Sequence, residues 1–236
     1  MALSASPKRR LPPAPALLAD IGATNARFAL LTAQGCKRTR VEACEDYPSL
    51  HDAIADYLKA ELPLTGSKRI AAAALAVAGP VTGDRVSLTN HPWSFSIKQL
   101  RRHLAVEQLV LVNDFTAVAL GVPRLAAKER RRIGGGKPDP AAPIGVIGAG
   151  SGLGVAGLVP TADGWLPLPG EGGHVTMAPA TARESALLDR MRARFDHVSA
   201  ERLLSGPGLI NLYNTLAELD GVHAAAYTAA QITDLS

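Results

Sequence analysis

The chain has 236 residues, 47% apolar and 19% charged, which fits a folded protein of one large or two small domains and excludes a disordered one. No apolar run approaches the roughly 18–20 residues that a membrane-spanning helix needs. The net charge of +4 sits mainly in Lys8–Arg10 and in "KERRR" (128–132), the latter followed by Gly134–Gly136 and by Pro138, Pro140 and Pro143. Few aromatics accompany these cations, so a solvated loop is the reading preferred over a nucleic-acid surface.

Residues 1–15 carry basic residues ahead of apolar ones, as a signal peptide does, but prolines interrupt them. They are expected to form a disordered tail on a cytoplasmic protein. Ala16–Ile21 reads as a strand, followed by Gly22 and by two further strand patterns, Ala26–Leu31 and Arg38–Cys44. Pro48–Leu62 carries Leu50, Ile54, Tyr57 and Leu58 near helical spacing. Arg69–Val77 is expected to be a strand ending on the Gly79-Pro80 turn. Ser96–Leu104 then reads as a helix, Leu109–Val112 as a buried strand and Phe115–Leu120 as a helix. Three strands before the first helix exclude the strict alternation of a doubly wound dinucleotide fold.

After a loop over 124–143, Ile144–Ile147 and Val155–Val159 flank "GAGSGLG" and repeat the strand, glycine turn, strand pattern of 16–31. Two similar halves imply two facing lobes. Thr181–Leu219 is expected to be mostly helical, interrupted at Gly206-Pro207-Gly208, and Thr228 is placed to cap a last helix. Cys36 and Cys44 are too few for a disulfide framework or a Cys-rich zinc site and are expected to be reduced thiols.

Four stretches carry chemistry. In "DIGATN" (20–25) an acid at a strand end precedes a tight turn whose N–H groups suit a phosphate, with Asp20 facing a hydrated magnesium; an ordinary hairpin turn explains the same residues. "GAGSGLG" (148–154) is a second phosphate-loop candidate. Gly152, Gly154 and Gly157 match the dinucleotide fingerprint, yet Val155–Pro160 continues a strand where that motif must open a helix, which argues against a nicotinamide dehydrogenase. No Gly-Lys-Ser/Thr follows, so a P-loop is excluded as well. In "VNDF", Asn113 and Asp114 end a buried strand, where ligand groups gather, although helix capping accounts for them equally. Glu171 and His174 in "PGEGGHV" suit a metal, a proton transfer or a polar ligand, or no more than a turn. Glu201 suits an exposed first-turn helix carboxylate.

Taken together and in order, "LLADIGATNARFAL", "TNHPWSFS", "LVNDFTAVAL", "GAGSGLGVAGLV", "LPGEGGHVTMAP" and "HVSAERLLSGPGLINLY" resemble bacterial glucokinases of the non-ROK type, within the actin/hexokinase/Hsp70 ATPase superfamily. The resemblance implies an α/β, ribonuclease H-like, two-lobed fold, with a small lobe over 16–124 and the first part of a large lobe over 125–236. It implies transfer of the γ-phosphate of ATP to the 6-hydroxyl of glucose, with ATP and Mg2+ as cofactors. Ala19, Asp20, Ile21, Gly22, Ala23, Thr24 and Asn25 would meet the phosphates from one side, with Asp20 reaching Mg2+ through water. Gly150, Ser151 and Gly152 would meet them from the other. Asp114 matches the catalytic base, and Asn113, Glu171, His174 and Glu201 match the sugar contacts. No zinc, nucleic acid or membrane is expected as a partner, and a homodimer is.

Two departures stand out. Ala23 replaces the second glycine usual in the first turn, and the matched family extends about a further third, where its adenosine-binding motif lies. The alternative is therefore a sugar-binding or regulatory fragment that keeps the glucose contacts and cannot hold ATP.

Overall fold

The computed structural model describes residues 14–89 and 91–235. Of the expected N-terminal tail, 1–13 lie outside the described residues. Pro15, expected in the tail, takes part in the fold: its carbonyl accepts the Ala71 N–H at 2.8 Å. Strand β1 (Ala16–Ile21) turns into β2 (Asn25–Thr32), which turns into β3 (Gly35–Ala43). Leu17, Ala19 and Ile21 on β1 and Ala26, Phe28 and Leu30 on β2 point inward, the period-2 alternation of a half-buried sheet.

Helix α1 (Leu50–Glu61) is capped by Ser49, whose hydroxyl accepts the Asp52 N–H, and it buries Leu50, Ala53, Ile54 and Tyr57 at spacings of three and four residues. Tyr57 seals it to the sheet. Its ring stacks on Phe28 with centroids 5.2 Å apart, and its phenol donates to the Arg38 carbonyl at 2.7 Å. Burial pushes the Tyr57 phenol pKa up.

The alanine-rich β4 (Ala72–Val77) runs parallel to β1, and a short hairpin, β5 (Arg85–Ser87) with β6 (Ser94–Ser96), leads to α2 (Ile97–His103). Strand β7 (Gln108–Asn113) runs parallel to β4 and ends in α3 (Asp114–Gly121). The resulting mixed five-stranded sheet has the order β3-β2-β1-β4-β7. It places the ends of β1, β4 and β7 side by side, which is what matters for the site.

The chain divides into two compact units, Met1–Ile133 with Ala162–Gly164, and Gly134–Thr161 with Trp165–Ser236. In the second unit, β8 (Ile144–Ala149), β9 (Leu153–Thr161) and β10 (Gly164–Gly170) form a three-stranded sheet in the order β10-β9-β8. Helices α4 (Ala182–Arg192), α5 (Gly206–Leu219) and α6 (Ala229–Asp234) follow. Leu187, Leu188, Met191, Val198 and Leu203 form the buried cluster between α4 and the start of α5.

One strand has no counterpart in the sequence reading, and one sequence expectation is corrected. Strand β10 contains Pro167 and Pro169, which obscure its pattern; it forms because it lies at the sheet edge, where a missing N–H costs no ladder bond. Gly206-Pro207-Gly208 does not interrupt a helix but opens α5. Ser205 caps it by accepting the Gly208 N–H at 3.0 Å, and Pro207 sits in the first turn, where its lack of an N–H costs nothing. Thr228 caps α6 as expected.

Candidate functional site

In the first unit, the register aligns Ile21 with Val77 and Val77 with Asn113, so three parallel strands end level with one another. At the usual strand separation this puts Ile21 and Asn113 roughly 10 Å apart. Ligand groups in α/β sheets gather at such carboxyl ends. The "DIGATN" turn is a tight hairpin: Gly22 N–H donates to the Asn25 carbonyl at 2.9 Å, and Cys44 N–H donates to the Thr24 carbonyl at 2.8 Å. A Cβ at position 22 would lie 3.2 Å from the Asn25 oxygen, so glycine keeps the turn closed. The N–H groups of Ala23 and Thr24 have no partner among the described residues. Asp20 and Arg27 face each other across the hairpin and form a half-exposed ion pair at 3.0 Å. Such a pair is worth only about 0–1 kcal/mol and yields readily to a stronger ligand.

Asn113 does what its capping alternative anticipated, and more. Its Oδ1 accepts the N–H groups of Phe115 at 3.0 Å and Thr116 at 3.2 Å, capping α3. Its Nδ2 donates to the Gly79 carbonyl at 3.2 Å, which leaves one amide proton for a ligand. Asp114 is partly buried; its Oδ1 accepts the Phe115 N–H at 2.7 Å, while Oδ2 has no partner among the described residues.

In the second unit, the Gly-rich turn lies between β8 and β9. Gly154 and Gly157 lie within β9, so the dinucleotide fingerprint sits on a strand. The turn is held at three points. Gly150 N–H donates to the Gly152 carbonyl at 2.8 Å, the Gly150 carbonyl accepts the Gly206 N–H at 2.8 Å, and Leu153 N–H donates to Glu201 Oε2 at 2.9 Å. The N–H groups of Ser151 and Gly152 are left without a partner among the described residues. Gly206 reads from sequence only as part of a helix break, not as a partner of this turn. The signal was Ser205 before Gly-Pro-Gly, a helix start whose first N–H groups need partners.

Glu171 bridges to Val155 of β9, and Gly172–His174 form a single 3-10 turn in which His174 N–H donates to the Glu171 carbonyl at 3.0 Å. Glu171 Oε2 and His174 Nε2 are 3.7 Å apart, too far for a hydrogen bond, and both side chains are largely exposed. The flanking glycines serve β9. A Cβ on Gly172 would lie 2.8 Å from the Val155 side chain, and one on Gly173 would lie 2.1 Å from the Leu153 carbonyl oxygen. Glu201 lies on a second 3-10 turn, Ala200–Arg202, capped by Ser199. The Ala200 N–H donates to the Val175 carbonyl at 2.9 Å, so the two turns are fastened together. The second unit thus gathers Gly150, Ser151, Gly152, Glu171, His174 and Glu201. Among the described residues, no group of three or more His, Cys, Asp or Glu is placed to hold a metal ion, and no helix is long and apolar enough to cross a membrane.

The comparisons with known proteins agree in kind. A glucokinase from Aromatoleum aromaticum is 51% identical over 221 residues, which is 93% of this chain and 66% of that protein. A glucokinase from Chromobacterium violaceum is 49% identical over 93% of this chain and 62% of its own length. The chain therefore spans somewhat less than two thirds of the length of these relatives. The crystal structure of a glucokinase from an Antarctic psychrotroph superposes with a TM-score of 0.79 at 38% identity, over 94% of this chain and 70% of that one. The same α/β fold with a mixed sheet is therefore shared. The family model described as Glucokinase matches residues 17–236, and the chain belongs to the glucokinase family.

Proposed function

We propose that this chain carries the glucose site and the phosphate-gripping turns of an ATP-dependent glucokinase, the enzyme that makes glucose 6-phosphate and ADP. The observation that carries the reading is that a glucokinase-family chain has, in its first unit, a glycine turn bearing unpartnered N–H groups and a carboxylate, Asp114, at a level set of strand ends, and in its second unit another glycine turn with unpartnered N–H groups. The first unit is read as the small lobe, 16–124, and the second as part of the large lobe, 125–236. The fold is read as ribonuclease H-like and the family branch as non-ROK, because Cys36 and Cys44 are the only cysteines and no Cys-rich motif lies near Glu171–His174.

Phosphoryl transfer needs positioning, charge neutralisation and an acceptor for the nucleophile's proton. In the first unit the N–H groups of Ala23 and Thr24, with the side chains of Thr24 and Asn25, suit phosphate oxygens, and in the second unit the N–H groups of Ser151 and Gly152 suit them in the same way. A lone carboxylate, Asp20, suits a magnesium ion that arrives with the nucleotide and keeps most of its water. Bound there, magnesium supplies neutralisation of the phosphate charge. Asp114 takes the proton of the 6-hydroxyl as the O6–P bond forms, and the bond from the γ-phosphorus to the bridging oxygen breaks with its electron pair leaving on ADP. Asn113, Glu171, His174 and Glu201 match the remaining hydroxyls. A site with this many polar groups discriminates by leaving them unpaired when a hydroxyl is missing. The proposed setting is a cytoplasmic homodimer.

The test measures glucose binding and ATP-dependent glucose 6-phosphate formation on the same preparation. Both together support the reading. Binding without turnover identifies a sugar-binding fragment, and absence of binding removes the sugar assignment altogether.

A further inference from the structure

Glu201 stands out because one side chain is committed to a distant piece of backbone. Its Oε2 accepts the N–H of Leu153, 48 positions earlier in the chain, at 2.9 Å. Its Oε1 has no partner among the described residues. The carboxylate lies so close to the Gly-rich turn that a Cβ on Gly152 would stand 2.5 Å from Oε2. A side chain at 152 would therefore have to push the Glu201 carboxylate away from its place on Leu153.

The backbone of Glu201 is fixed as firmly. Its carbonyl accepts the Ser205 hydroxyl at 2.7 Å, and Ser205 in turn accepts the Gly208 N–H. A Cβ on Gly208 would come within 2.7 Å of that same Glu201 carbonyl, so α5 is packed directly against it. Nearby, Asn211 Nδ2 donates to the Arg202 carbonyl at 3.1 Å. The start of α5 closes the circuit, because Gly206 N–H holds the Gly150 carbonyl. The turn that presents the Ser151 and Gly152 N–H groups is therefore braced at its end by Glu201 and at its start by α5.

We propose that Glu201 is the positioning residue that links the sugar site to the phosphate-gripping turn. This rests on the glucose reading given above. A carboxylate has two oxygens and can serve two masters: Oε2 fixes Leu153, and Oε1 is free for a sugar hydroxyl. A hydroxyl on Oε1 restrains the carboxylate, the restrained carboxylate restrains Leu153, and the Ser151 and Gly152 N–H groups are ordered for phosphate before it arrives. Linkage makes the effect reciprocal, so a turn disturbed at Gly152 weakens sugar binding although residue 152 is not assigned to the sugar. A preordered turn also loses less entropy on binding phosphate.

The experiment uses 15N-labelled full chain and D-glucose as the probe. Without sugar, the Leu153 amide is expected to exchange with solvent at least about tenfold faster in Glu201→Ala than in wild type, and close to the wild-type rate in Glu201→Gln, which retains an acceptor oxygen. With saturating glucose, the Ser151 and Gly152 amide resonances are expected to shift in wild type and in Glu201→Gln, and to stay put in Glu201→Ala. Gly152→Ala is expected to weaken glucose binding about 5–20-fold, and its effect is expected not to add to that of Glu201→Ala. Unchanged Leu153 exchange in Glu201→Ala, or full glucose affinity in Gly152→Ala, overturns the proposal. If wild type binds no glucose, the sugar half of the role falls together with the glucose reading, while the sugar-free Leu153 measurement still decides whether Glu201 braces the turn.

Discussion

The side-chain amide of Asn113 donates to the carbonyl of Gly79, 34 positions earlier, at 3.2 Å, while its oxygen caps α3. One residue thus joins the end of β7 to the turn after β4 and starts the helix that carries Asp114. Asn113→Ala removes the cap and strands the Gly79 carbonyl, so it is expected to cost about 1–2 kcal/mol in urea unfolding and also to weaken glucose binding. Asn113→Asp retains the capping oxygen but turns its second oxygen toward the Gly79 carbonyl in place of a donor, so it is expected to recover only part of the stability. Equal losses in the two variants would show that the cap is not what Asn113 contributes.

Asp114→Asn separates proton acceptance from binding. The amide oxygen still accepts the Phe115 N–H, so the local backbone is preserved. The expected outcome is a kcat about 10²–10⁴-fold lower with KM for glucose changed only a few-fold. A kcat within a few-fold of wild type would remove Asp114 from the role of base.

The glycines near Glu171 and those of the Gly-rich turn differ in what they are for. Gly173→Ala drives a Cβ into the Leu153 carbonyl, a backbone atom that cannot step aside, and is expected to destabilise by about 1–3 kcal/mol. Gly150→Ala meets nothing within 4 Å and is expected to leave stability within about 0.5 kcal/mol of wild type. Thermal unfolding of the two variants side by side decides this, and a stable Gly173→Ala protein contradicts it.

This contrast shows where the sequence is legible. Most elements of the first unit follow from period-2 and period-3.6 patterning with explicit caps such as Ser49, so β1 to β4, α1, α2, β7 and α3 are read correctly within a few residues, while the three-residue strands β5 and β6 are too short to show a period. Strand β10 is hidden because Pro167 and Pro169 break its alternation, and only its place at a sheet edge makes them harmless. The candidate residues are legible as motifs, yet their local duties are not. Nothing in the spacing of Gly172 and Gly173 tells what they make way for, which in the structure is the Val155 side chain and the Leu153 backbone. Glu201 is indistinguishable in sequence from a surface helix carboxylate, since its partner Leu153 is too distant for any spacing rule to connect them.

A pH effect follows from His51 on α1, whose ring meets that of His103 on α2 edge to face with centroids 5.2 Å apart. Burial, and then the neighbouring His103, hold the His51 pKa below its ordinary 6.5, with Asp52 pulling weakly the other way. Well above 6.5, His51 is neutral in both folded and unfolded chains and contributes no pH dependence. As the pH falls below that value, the unfolded chain takes up the proton first, so stability is lost progressively until the pH has passed the folded pKa, and no further loss comes from this residue below it. His51→Gln cannot titrate and is expected to show a flatter fall of the urea midpoint across that interval. Parallel curves for the variant and wild type would mean that His51 is protonated equally easily in both states, and the α1–α2 contact would then have no part in the acid response.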